Sequence, residues 1–159
     1  MVCFVQKGSY ACFGNPEWKN YAVSFKARAP KDAEQVQIWA GFRANNRFDR
    51  YVVGIKGGLQ DDLYLMRMGY MGTDEFLGVR PLGFHPVPGQ WYKLKVEVCG
   101  SRIRVFVNDE KKPHMDIVDK NSNLAPSGPV TLGGGWIETE FDDLVVTSLE
   151  ENALNDVAV

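Results

Sequence analysis

Hydrophobic and polar residues alternate one for one along most of this chain. In residues 21–28, Tyr21, Val23, Phe25 and Ala27 fall on one side and Ala22, Ser24, Lys26 and Arg28 on the other, as a half-buried strand requires. The same period predicts strands over 35–43, 50–55, 62–68, 91–98, 102–107, 128–136 and 138–147. In 35–43, Val36, Ile38, Ala40 and Phe42 share one face, while Gln37, Trp39, Gly41 and Arg43 share the other. Residues 91–98 and 102–107 flank Cys99-Gly100-Ser101 and form the clearest hairpin. Polar turns are expected at 44–49, 56–58 and 108–111. Residues 69–88 contain four glycines and three prolines and read as one long connection, a feature that often carries function. No helical period persists anywhere. Roughly ten to twelve short strands separated by Gly, Pro and Asn turns predict an all-β fold, a two-sheet antiparallel β-sandwich of the jelly-roll kind.

Length and charge narrow the picture. A chain of 159 residues is long enough for one domain with a real core, expected over 1–149, with 150–159 as a linker or frayed tail. The net charge of −2, with acids and bases interspersed, offers no basic stripe for phosphates, so nucleic acid is not an expected partner. No apolar run approaches the roughly 20 residues that span a bilayer, so no membrane is expected either. The start lacks a signal pattern, and excision from a larger parent chain with neighbouring domains is the expected origin. Of the three cysteines, Cys3 and Cys12 either pair across an N-terminal hairpin or stay as free strand thiols.

A family resemblance rests on particular residues: Trp18 and Tyr21; Gly41-Phe42-Arg43; Tyr51-Val52-Val53-Gly54-Ile55; the run from Trp91 to Val98; Gly100-Ser101 with Ile103, Val105, Val107 and Asn108; and Phe141-Asp142-Asp143-Leu144-Val145-Val146. Together, over roughly residues 8–148, these resemble the concanavalin A-like lectin/glucanase superfamily, within it the laminin-G-like jelly rolls. The nearest members are family 66 carbohydrate-binding modules and 3-keto-disaccharide hydrolase domains. The resemblance implies two stacked antiparallel sheets, with ligands on the concave sheet or its rim loops. It also implies attachment to bacterial glycoside hydrolases, and hence an extracellular or periplasmic setting.

Candidate chemistry follows the strand faces. Trp39 offers a flat apolar surface to the C–H side of a sugar ring, and Arg43 a guanidinium that forks onto neighbouring hydroxyls; Gln37 extends their row. Arg50 and Tyr64 lie on neighbouring strands, and Trp136 follows three glycines on a loop that could wall a site. For each of these the alternative is ordinary packing. Asp142 is the expected side-chain ligand if a structural calcium is present, as the resemblance allows, since calcium takes hard oxygen donors. Hydrolysis of a glycoside needs two carboxyls about 5–10 Å apart, and Glu138 and Glu140 are the nearest approach. His85 and His114 lie in loops without a nucleophile partner.

The expected function is a non-catalytic carbohydrate-binding module of a glycoside hydrolase or related polysaccharide-processing protein. Two alternatives stand beside it. One is a hydrolase domain of the 3-keto-disaccharide type; the other is a structural or protein-interaction jelly roll without a sugar site.

Overall fold

The computed structural model describes residues 3–5, 9–45, 49–57 and 60–155. Twelve strands run in order: β1 (Cys3–Val5), β2 (Tyr10–Phe13), β3 (Tyr21–Arg28), β4 (Gln37–Phe42), β5 (Arg50–Lys56), β6 (Asp62–Met68), β7 (Glu75–Pro81), β8 (Tyr92–Cys99), β9 (Arg102–Val107), β10 (Met115–Val118), β11 (Val130–Gly133) and β12 (Thr139–Ser148). They form two six-stranded sheets, ordered β1-β12-β3-β8-β9-β10 and β2-β11-β4-β5-β6-β7. Every pairing is antiparallel, and the sheets stack as a β-sandwich.

The period-two pattern explains the stacking. On β3, Tyr21, Val23, Phe25 and Ala27 are buried and their neighbours are not. Tyr92, Leu94, Val96 and Val98 of β8 pack beside them, and Ile103, Val105 and Val107 of β9 complete that inner face. The second sheet answers with Ile38, Ala40 and Phe42 of β4, Tyr51, Val53 and Ile55 of β5, and Leu63 and Leu65 of β6. Burying these side chains out of water is the main force holding the sheets together.

Several expectations are corrected. The stretch 69–88 is not one connection: it begins with a short 3-10 turn over Tyr70–Gly72 and then supplies β7, the edge strand beside β6. Its alternation is hidden because the register shifts between Leu65 and Met66, leaving Leu77 as an extra residue. No N-terminal hairpin forms, because β1 joins β12 in one sheet while β2 joins β11 in the other. Cys12 is a free, exposed thiol; the side chain of Cys3 lies outside the described residues. Residues 150–155 lie against the sandwich. Leu154 is buried, its carbonyl accepts from Arg102 Nη1 at 2.9 Å, and the Cys99 thiol donates to the Glu150 and Glu151 carbonyls. Among the described residues no helix is long and apolar enough to cross a membrane.

Candidate functional site

The outer face of the second sheet is built as rungs across four strands. The central rung runs Trp39, Gly54, Tyr64 and Val79 in register from β4 to β7. On one side lies a polar rung of Gln37, Lys56 and Asp62, ending at Pro81. On the other lies a rung of Gly41, Val52, Met66 and Phe76. A groove of about 600 Å³ follows these rungs, with Gln35 and Gln60 at its polar end. Volumes of this order suit small-molecule and oligosaccharide-sized ligands.

Missing side chains shape the groove. At Gly54 an added Cβ would strike the Tyr64 hydroxyl and the Ile38 carbonyl oxygen. Only glycine therefore lets the Tyr64 ring lie down across the floor, where it meets Trp39 edge-on with ring centroids 5.9 Å apart and Phe76 at 6.3 Å. The far wall is Trp136, whose side is raised by the preceding glycines. Gly133 and Gly134 both have φ of 96°, a region that residues with a Cβ avoid. A Cβ at Gly135 would lie 3.1 Å from both Gln37 Oε1 and Trp39 Cδ1. The loop thus seats on Gln37, whose Oε1 accepts from the Trp136 amide at 2.6 Å. Trp136 is left 68% exposed and Phe76 65% exposed, facing each other across the trough as its two rims.

The floor holds unused hydrogen-bonding capacity. Trp39 Nε1 and the Tyr64 hydroxyl are both sealed from water and without a partner, although buried polar groups are nearly always paired. Burial pushes the Tyr64 hydroxyl far above the usual tyrosine range, so it remains protonated and a donor.

Four of the residues singled out in the sequence converge here: Trp39, Gln37, Tyr64 and Trp136. Arg43 does not. The strand ends at Phe42, and Arg43 adopts a positive φ of 47°, which breaks the alternation and turns the side chain inward. It is 3% exposed and donates to the Lys19 carbonyl at 2.7 Å, the Gly100 carbonyl at 2.8 Å and Asn20 Oδ1 at 3.3 Å. Its guanidinium is a strap that ties loops at one end of the sandwich, not an exposed fork beside Trp39. Arg50 shares the outer face but lies beyond the groove lining. It is 8% exposed, its guanidinium carbon sits 4.9 Å from the Tyr10 ring centroid, and desolvation lowers its pKa from the usual arginine value. The sequence pattern missed Phe76, Val79 and Met66: the first two because of the bulge in β7, the third because both faces of β6 are buried.

Asp142 lies beside a backbone amide and a lysine. Its Oδ1 accepts from the Asp143 amide at 2.9 Å, and the Lys26 ammonium lies 3.9 Å from its Oδ2 and 3.1 Å from Asp143 Oδ2. That amide and that cation hold the Asp142 carboxyl below the usual carboxylate range. Asp143 has a φ of 54° at a bulge in β12. No group of three His, Cys, Asp or Glu side chains gathers among the described residues.

Among the described residues that line the groove, Asp62 is the one acid. Glu140 is held by Arg28 on the other sheet, and Glu138 is exposed before β12. An arginine and two acids do converge elsewhere. Arg67 Nε lies 3.0 Å from Asp119 Oδ2 and its Nη2 2.8 Å from Glu75 Oε2, but Arg67 and Asp119 are each 3% exposed, inside the sandwich end. A second hollow, of about 610 Å³, lies over the outer face of the first sheet. Four of its charges pair with one another, with Lys93 at 2.7 Å from Asp109 and Lys95 at 3.7 Å from Glu97, and Phe106 is the one aromatic among its described lining residues.

Among solved structures the chain is similar to the carbohydrate binding module CBM66 from Bacillus subtilis, with a TM-score of 0.67 and 13% identity over 92% of this chain and 82% of that one. It is similar to chicken galectin 2, with a TM-score of 0.61 and 14% identity over 89% of this chain and 100% of that one. It also matches a GH43 protein from Bacillus licheniformis, with a TM-score of 0.55 and 12% identity over 82% of this chain and 28% of that longer one. At these identities the likeness establishes the fold alone, a two-sheet antiparallel β-sandwich of the jelly-roll kind. No family model and no curated protein matches the sequence.

Proposed function

We propose that this concanavalin A-like jelly roll is a carbohydrate-binding module that holds its ligand in the β4–β7 groove without cleaving it. The observation that carries the reading is the aromatic rung of Trp39 and Tyr64, walled by Trp136 and Phe76 and bordered by Gln37, Lys56 and Asp62. Aromatic faces pack against the C–H side of a sugar ring, and amide, ammonium and carboxylate groups replace the water around its hydroxyls. Such exchange yields modest, reversible affinity, because each new hydrogen bond replaces one to water. A solitary carboxylate supports holding over hydrolysis, which needs an acid and its partner. The similarity to a structure described as a carbohydrate binding module is consistent with this. The GH43 match, in which the fold occupies 28% of a longer chain, is consistent with attachment to a larger parent chain.

A glycan array read with the parent chain and with Trp136→Ala tests the proposal. Because Trp136 is largely exposed, the variant keeps its fold and its melting temperature. Loss of roughly 60–100 Å² of apolar contact at about 25 cal/mol per Å² weakens the retained glycan about tenfold or more. Equal retention by both proteins would remove the groove as the site.

A further inference from the structure

The groove changes chemistry along its length, and this asymmetry says what kind of sugar ligand fits it; the inference rests on the sugar-binding reading above. Residues two apart on a strand are about 7 Å apart, so the three rungs cover about 13 Å. At one end stand Gln37, Lys56 and Asp62; at the other, Phe76 presents apolar surface over the largely buried Met66, with Val79 beside them. Phe76 is 65% and Val79 46% exposed. Both belong to an edge strand, where uncovered large apolar side chains are normally avoided. A chain of identical sugar units repeats the same mixture of hydroxyls and C–H surface at every step, so it matches neither end selectively. A ligand with separate polar and apolar halves matches both.

We infer that the groove takes a glycoside bearing an apolar aglycone. The sugar lies over the polar and aromatic rungs, where Trp39 and Tyr64 meet its ring and Lys56 and Asp62 its hydroxyls. The alkyl or aryl aglycone lies against Met66, Phe76 and Val79. The apolar end then gains from burial what a second sugar unit there would lose by desolvating its hydroxyls without partners.

Calorimetric titration of the purified chain with methyl, hexyl and phenyl β-D-glucosides, galactosides, mannosides and fructosides tests this, with 1-hexanol alongside. The expected result is that hexyl and phenyl glycosides of the preferred sugar bind at least tenfold more tightly than the methyl glycoside. At about fourfold per buried methylene, two methylenes in contact suffice. Phe76→Ser and Val79→Ser then remove the gain, so that to each variant the hexyl and phenyl glycosides bind no more tightly than the methyl glycoside; both positions are exposed enough for the fold to persist. Equal constants for methyl and hexyl glycosides overturn the inference and leave the sugar reading standing. Hexanol binding as tightly as a hexyl glycoside also overturns it, since the sugar then contributes nothing. Silence from every glycoside overturns both.

Discussion

Arg43 and Trp39 lie four residues apart and were read from the same alternation, yet they have opposite fates. Trp39 stays on the outer face because β4 is regular from Gln37 to Phe42. Arg43 leaves it because its positive φ marks the end of the strand, and a lone φ change is invisible to a hydrophobicity pattern. The two residues therefore separate experimentally. Arg43→Ala removes three donors from part-buried acceptors and lowers stability by about 1–3 kcal/mol, read by urea denaturation, while glycan affinity measured in the folded range is unchanged. The Arg67 cluster is the stronger structural case. The Tyr51 hydroxyl donates to Asp119 Oδ2 at 2.7 Å, Arg67 Nε donates to the same oxygen at 3.0 Å, and the Asn121 amide caps Asp119 Oδ1 at 3.0 Å. Asp119→Ala leaves a buried guanidinium without its main counter-charge, and calorimetry should show a loss of about 3–5 kcal/mol.

At the scale of elements, the strands that carry clean alternation were legible and the irregular ones were not. β3 and β9 follow period two from end to end, and β8 does so as far as Val98. β7 shows no alternating burial, because it is an edge strand with a bulge at Leu77, and β10 has only four residues. The groove was half legible for this reason. Its β4 and β6 aromatics stood out, while the β7 rim was hidden in what reads as a loop. Gly54 gives the element-level test. Gly54→Ala places a methyl against Tyr64 and the β4 backbone, costing about 1–3 kcal/mol and lifting the Tyr64 ring into the trough, so thermal stability and glycan affinity fall together. The C-terminal end of β7 also has a protonation tie. His114 Nε2 lies 2.8 Å from the Pro81 carbonyl and Nδ1 2.8 Å from Glu110 Oε1, so both ring nitrogens face acceptors and the doubly protonated form is favoured. Burial works against that charge, but the hydrogen bonds to Pro81 and Glu110 outweigh it and raise the His114 pKa above 6.5. A raised folded-state pKa adds stability that is fully present below the unfolded value of 6.5 and lost as pH rises through the folded value. Urea midpoints should therefore fall as pH climbs from slightly acid to slightly alkaline, and His114→Gln should flatten that part of the profile.

Across the described residues, one core joins two sheets, and 3–5, 10–13 and 150–155 pair with the sheets or pack on them. The N-terminal segment supplies an edge strand to each sheet, which period two did not reveal because pairing partners distant in sequence leave no local mark. The segment 150–155 packs on β8 and β9 through Cys99, Arg102 and Leu154. Truncation after Leu149 should cost about 1.5–3 kcal/mol, the worth of a buried leucine side chain. The outer face of the second sheet is where we propose that the ligand binds, and the four tryptophans test that separately. Trp39 and Trp136 line the groove, Trp18 sits against Tyr21 at the sandwich end, and Trp91 lies under Arg28 and Lys26 on the opposite sheet. Indole N–H resonances of the ¹⁵N-tryptophan-labelled protein, followed during titration with the glycan retained on the array, therefore locate the ligand directly. Movement of the Trp39 and Trp136 signals with Trp18 and Trp91 fixed is the expected result. Movement confined to Trp18 or Trp91, or four unmoved signals under saturating glycan, would contradict it.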